Sequence, residues 1–304
     1  MPVIRYIRKN DRLRLLLLAL PFLAFILMFS YVPLAGWVYA FFRYRPGIPL
    51  DRTPFVGFDN FRLIFTLYRN QMTNVLRNTL IFSFLGLLMS PIPMFFAVLL
   101  NEIRRAKFKK LVQTTTTLPN FISWVIVFAL SFAIFQDVGP VNRILLYLGL
   151  VDSPTMLLGN SGAVYAFQTI LGLWKHVGWS AIIYFAAIAG IDSELYDAAS
   201  VDGAGRLGKM LNITLPGLLP TYLVLLLLAI GNMLSVGFEQ YFLFYNSLTA
   251  RSIDVIDTYV YRVGLLNNDF SFGIAVGIFK TMISVILLFT ANGIAKKVRG
   301  QSII

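Results

Sequence analysis

Long apolar runs alternate with short polar segments along most of this chain. Six charge-poor windows are each long enough to cross a bilayer as a helix, which takes roughly 20 residues for about 30 Å of hydrocarbon. They are Leu15–Phe42, Thr79–Leu100, Leu111–Gln136, Ala163–Gly190, Leu218–Val236 and Phe272–Ala295. The pattern predicts an all-α integral membrane protein with six transmembrane helices. An even number of spans puts both termini on one side. Pro21, Pro33, Pro91 and Pro93 fall within spans. A bundle tolerates them because neighbouring helices satisfy the freed backbone groups. The sequence shows no internal repeat and no low-complexity segment.

Composition agrees with a membrane protein. The chain has 304 residues, 58% of them hydrophobic and only 13% charged, with a mean hydropathy of +0.74. A soluble domain carries about 25% charged residues. The net charge of +12 comes largely from short cationic runs beside apolar segments. That placement suits a cytoplasmic membrane face better than a nucleic-acid surface, so no nucleic-acid partner is expected.

With the termini inside, the inner segments hold 15 lysines and arginines and the outer loops 9. The positive-inside rule then favours N-in, C-in. The Arg-rich first outer loop, with Arg43, Arg45, Arg52, Arg62, Arg69 and Arg77, narrows the margin. A basic stretch precedes the first span, but the span is too long for a signal-peptide core and lacks a small-x-small cleavage site. It is expected to remain as a helix.

The domain expectation has three parts: a basic N-terminal segment, first helix and outer loop (1–73), a transmembrane domain (74–295) with a cytoplasmic loop at 192–217, and a basic cytoplasmic tail (296–304). The outer loops, roughly 43–78, 137–162 and 237–271, are long enough to dock an external partner or simply to connect spans. The absence of cysteine excludes disulfides, Cys–zinc sites, Fe–S clusters and thiol nucleophiles. His176 has no second ligand candidate nearby, so neither a metal site nor a catalyst is expected.

The most polar, glycine-rich stretch is ELYDAASVDGAGRLGKMLNITLPG, residues 194–217. GAGRLG matches G-x-G-x-x-G, and GAGRLGK matches most of a phosphate-binding P-loop. Both readings lack their context. A P-loop needs a preceding strand and a Ser or Thr for magnesium, and here Met210 takes that place. A dinucleotide site needs an acid about 20 residues on, and no Asp or Glu lies between Asp202 and Glu239.

The residues read instead as two short helices held outside the membrane. Asp192 or Ser193 caps the first, Glu194 favours its N-terminus, and Gly203 ends it in a left-handed conformation. Leu195, Tyr196 and Ala199 share a face. The second helix covers Gly205–Leu211, with Ile213 and Leu215 as exposed apolar candidates and Pro216 stopping the turn. A helix lying on the lipid surface is the plainer alternative, but Asp192, Glu194, Asp197 and Asp202 would be repelled by anionic lipid.

At these residues the chain resembles the permease subunits of binding-protein-dependent type I ABC importers. Their coupling loop reads E-A-A-x-x-D-G-A, eight residues, then I-x-L-P. This chain reads D-A-A-S-V-D-G-A, eight residues, then I-T-L-P. Asp197 replaces the usual Glu, keeping the charge on a shorter arm. FVGFDNF at 55–61, TLPNFISWVI at 117–126, GFEQYFLFYN at 237–246 and FGIAVGIFKTMIS at 272–284 resemble the carbohydrate-uptake branch, similar to the larger maltose permease subunit and closer to permeases for polysaccharide fragments.

The resemblance implies a multi-pass permease in a bacterial cytoplasmic membrane that is not itself an enzyme. Its partners would be a second homologous permease, two cytoplasmic ATPase subunits that hold ATP and magnesium, and an external solute-binding lipoprotein that delivers an oligosaccharide. No cofactor is expected in this chain. The element docking on the ATPase would comprise Leu195, Tyr196, Asp197, Ala198, Ala199, Asp202, Gly203 and Ala204, with Ile213, Leu215 and Pro216.

Substrate-path candidates are Lys175 and Lys280, charges within spans, Trp174, which can stack on a sugar ring, and Asn232, Glu239 and Gln240 at the outer end of span five. Each has a plainer reading. A lysine can pair with a carbonyl or an acid or snorkel, the tryptophan can pack, and the polar trio can cap a helix. A membrane-embedded glycosyltransferase would need convergent acids or a metal site, and a lone secondary transporter would be expected to show repeats. Neither pattern is present in the sequence.

Overall fold

The computed structural model describes residues 11–299, and the basic run at Arg5, Arg8 and Lys9 and the final residues 300–304 lie outside that range. The described residues are almost wholly helical, with a single isolated antiparallel bridge between Phe42 and Phe55. Six helical stretches are long and apolar enough to cross a membrane: Leu15–Phe41, Arg69–Asn101, Trp124–Tyr147, Val164–Ala189, Arg206–Gly231 and Phe270–Gly293.

Three boundaries differ from the sequence expectation. Span two starts at Arg69, ten residues before Thr79, because Arg69–Asn78 continues the helix with Met72, Val75 and Asn78 buried on one face. Span three is not one helix over 111–136. A helix Ala106–Thr117 ends in a tight 3-10 turn at Leu118–Phe121, and a new helix starts at Trp124 with Ser123 as its N-cap. Pro119 lacks the N–H that would continue the helix, and Ile122 and Ser123 are extended.

Span five differs in the same sense. Arg206–Lys209 passes through a π turn, Met210–Thr214, into Leu215–Gly231 without a break. Pro216 therefore does not stop the chain. It sits in the first turn of Leu215–Gly231, where its missing N–H is tolerated, and the widened π turn relieves the ring's clash with the preceding backbone. The second short helix is thus the extramembrane start of span five rather than a separate rod.

The chain forms two compact units. One comprises Met1–Tyr68, described from residue 11, and Val260–Phe279. Its centre is Ala40, Ala275 and Ile278 with Phe41, Phe61 and Ile274 packed against them. Buried Asn60 fixes the turn after span one by donating Nδ2 to the carbonyls of Ala40 (2.8 Å) and Phe42 (3.2 Å).

The other unit comprises Arg69–Tyr259 and Lys280–Ile304, described to residue 299. One buried cluster joins Met94, Ala97 and Val98 of span two to Ala181, Tyr184 and Ile188 of span four and Leu218 of span five. A second joins Phe82, Val164, Tyr241, Phe244, Ile253 and Val255. Small residues allow close helix approach, as expected where lipid provides no hydrophobic drive. A side chain at Gly178 would lie 2.3 Å from the Thr116 carbonyl carbon. Fully buried Asn78 donates to the Arg251 and Asp254 carbonyls, both at 2.9 Å, and accepts from the Tyr165 hydroxyl at 2.6 Å.

Candidate functional site

The loop between spans four and five folds as a capped helix. Ser193–Val201 starts at Asp192, whose Oδ1 accepts the Glu194 N–H at 2.9 Å. The helix ends on Gly203 at φ +77°. The Ala204 N–H reaches the Ala199 carbonyl at 2.8 Å and the Gly203 N–H reaches that of Ser200 at 3.2 Å. This pair of bonds is the Schellman arrangement, which requires a left-handed residue at the turn.

The return limb is tied to the helix by side chains. The Tyr196 hydroxyl meets Thr214 Oγ1 at 3.0 Å, and Lys209 Nζ donates to Ser200 Oγ at 2.5 Å. The face left open carries Leu195, Asp197 and Ala198, and at its tip Val201, which is 88% exposed. Ala199 and Ala204 are half-buried. Ile213 and Leu215 are not exposed, contrary to expectation. Both are half-buried, and Leu215 packs against the Met94–Leu218 cluster because the continuous helix turns it inward. Pro216 is exposed. Sequence reasoning passed over Val201 and Leu207, both strongly exposed, because isolated apolar residues in a glycine-rich loop carry no periodic signal.

The substrate-path candidates do not converge. Lys175 is buried at 4% exposure and donates to the carbonyls of Pro119 (3.0 Å), Asn120 (3.0 Å) and Ile122 (2.5 Å). Its three N–H groups are spent on the break in span three, which supports the carbonyl-pairing alternative. Lys280 pairs with Asp257. Asn232 is exposed at the end of span five and donates to the Leu228 carbonyl at 3.1 Å. Trp174 and Glu239 are exposed.

Gln240 lines a cavity of about 250 Å³, shared with Phe82, Gln168, His176, Ser180 and Tyr241. Gln240 Nε2 donates to the Gln168 carbonyl and to Gln168 Oε1, both at 2.8 Å. His176 Nδ1 lies 2.9 Å from Asn120 Oδ1. Burial pushes the Tyr241 phenol above its usual range, so it remains a neutral hydroxyl. Gln168, Gly172, His176 and Ser180 recur every fourth residue along span four. That polar and small stripe was the signal available in the sequence. No cluster of three or more His, Asp or Glu residues suited to a metal occurs among the described residues.

Residues 89–300, including this loop and cavity from Met89 on, match the family of the binding-protein-dependent transport system inner membrane component. The chain belongs to this family. It is thus a permease component, and ATP hydrolysis resides in another subunit. Protein LplB of Bacillus subtilis (strain 168) is 40% identical over 291 residues, covering 95% of this chain and 90% of that one. The polygalacturonan/rhamnogalacturonan transport system permease protein YteP of the same organism is 41% identical over 304 residues, covering 95% of this chain and 93% of that one. A chain in the crystal structure of a bacterial ABC transporter that imports the acidic polysaccharide alginate superposes with a TM-score of 0.85 at 34% identity, covering 98% of this chain and all of that one. The same kind of chain, in complex with the alginate pentasaccharide-bound periplasmic protein, gives 0.86.

Proposed function

We propose that this permease imports an oligosaccharide or polysaccharide fragment across a bacterial cytoplasmic membrane, and that the helix Ser193–Val201 couples it to ATP. A second homologous permease completes the pathway. Two cytoplasmic ATPase subunits bind ATP and magnesium, and an external solute-binding lipoprotein delivers the sugar. The supporting observation is the loop's construction. Its backbone is closed by a cap, a Schellman turn and two side-chain ties, while Val201 and Leu195 face outward without an internal partner cluster. A rigid amphipathic helix offered in this way fits a groove on a partner. ATP-driven closure of that partner would bias a two-state bundle through the loop.

The sugar would pass the Gln168–Gln240–Tyr241 cavity, where amides, a neutral phenol and the Phe82 ring offer hydrogen bonds and a stacking face. Val201→Asp tests the coupling. It should leave membrane insertion and melting unchanged, and lower sugar-stimulated ATPase activity of the reconstituted transporter by roughly tenfold or more, the scale of losing a buried interface anchor. Full stimulation in that variant would remove the helix from the coupling path.

A further inference from the structure

The arginines between the first two spans run against the bias that keeps Lys and Arg inside. Three of them, Arg43, Arg45 and Arg62, surround a cavity of about 840 Å³ built wholly from the unit of residues up to Tyr68 and Val260–Phe279. None of the three side chains makes an ion pair or a side-chain hydrogen bond among the described residues.

Two acids, Asp59 and Asp269, share the cleft, and neither makes an ion pair among the described residues. Asp59 is the first residue of Asp59–Phe65, and Asp269 Oδ1 accepts the Phe272 N–H at 3.1 Å. Asp269 is thereby spent on a helix start, which leaves three arginines beside one acid without such a bond. The walls are fixed: the Arg43 N–H bonds the Pro54 carbonyl at 3.0 Å, and the Tyr44 N–H bonds Ser271 Oγ at 2.9 Å. Asn267 and Asn268 add amides to the same wall, and Asn268 is held there at φ +58°.

The geometry points to this cleft as a subsite for a carboxylate-bearing oligosaccharide, an acidic sugar chain read by its charge before it enters the pathway. This inference rests on the reading of the protein as a sugar importer. The guanidinium fork matches a carboxylate bidentately, and the neighbouring amides suit the hydroxyls of a sugar ring. A lipid phosphate would satisfy the arginines but leave the amides without a ligand. The cleft is formed by the segment that follows span one in the sequence and by the start of span six. Alternation of the spans across the membrane puts those segments on the side opposite the Ser193–Val201 loop, where an incoming substrate arrives.

The test uses the full transporter in zwitterionic-lipid nanodiscs, with trigalacturonate and its neutral methyl ester as probes. The acid should bind at least roughly tenfold more tightly than the ester, the scale of one bidentate charge-assisted pair. R43Q/R62Q should abolish that preference while keeping the wild-type melting temperature, and R52Q, in the same loop but outside the cleft, should retain it. Equal binding of acid and ester overturns the proposal, as does an unchanged preference in R43Q/R62Q. So does loss of the preference on adding phosphatidylglycerol, which would assign the cleft to lipid. ATP-driven uptake of neutral and acidic trisaccharides by the wild-type transporter, measured in parallel, tests the parent reading separately. Uptake of neither sinks the sugar importer, whereas uptake without an acid preference in binding sinks only the cleft.

Discussion

At Lys175 a charge inside an apolar span is held by backbone carbonyls, with the Glu239 carboxylate adding a longer-range attraction. The break at Pro119 leaves the Asn120 and Ile122 carbonyls outside any helical ladder, and one ammonium group takes both and shares the Pro119 carbonyl with the Ile122 N–H. The Trp124 ring lies 5.4 Å from the same nitrogen and adds a cation–π contact. Removing the lysine would strand the Asn120 and Ile122 carbonyls in a medium that cannot hydrate them. Lys175→Met should therefore lower stability by about 1–3 kcal/mol, the cost of buried unsatisfied groups. A detergent melting curve checks this, and an unchanged midpoint would mean that water reaches the break. The same residue shows why the site was only partly legible. A lysine in a hydrophobic run signals that something polar is near, but the sequence does not distinguish a substrate from three carbonyls 53 to 56 residues away.

At the scale of elements, glycines decide how closely helices approach and how the helix Ser193–Val201 ends. Gly178 allows span four to lie against the carbonyl of Thr116. Gly178→Val would force the helix Ala106–Thr117 away and carry the Lys175 latch with it. Overpacking of this kind costs about 1–3 kcal/mol, and the expected readout is faster limited proteolysis near Leu118–Phe121. Cleavage at the wild-type rate would show that the two helices are not so closely packed. Gly203 acts differently, since a side chain there meets open space and the cost lies in its left-handed backbone. Gly203→Val should preserve the spans but unwind the Schellman turn, with about 1–2 kcal/mol of local strain. The predicted consequence is loss of ATPase co-purification at an unchanged melting temperature. The glycine and its helix were legible because capping and chain reversal depend on a few neighbouring residues. The continuity of span five was not legible, because a proline ends a helix in one register and opens it in another.

At the scale of the whole molecule, the absence of cysteine makes the orientation directly measurable. In the N-in, C-in arrangement, Val201→Cys should react with a membrane-impermeant maleimide only from the cytoplasmic side, and Ile48→Cys only from outside. The opposite pattern would reverse the topology and remove the coupling role. Both positions are exposed, so the substitutions should change stability by less than about 0.5 kcal/mol.

The sequence by itself determined the class of molecule, the number of spans and the place of the capped loop between spans four and five. Each of these rests on a local or additive property: the length of an apolar run, a count of charges, or a motif whose spacing is read along one chain. The tertiary structure decided which polar residues line a cavity and which are spent within the fold. Lys175, Lys280 and Asn232 are engaged by backbone or by an acid of the same chain, whereas Gln240 joins a stripe on span four to form a cavity. It also left the cleft arginines without an ion pair among the described residues, and spent Asp269 on a helix start. The physical reason is common to all of these cases. A polar side chain in an apolar environment must find a partner, and the partner is chosen by distance in space rather than by distance along the chain.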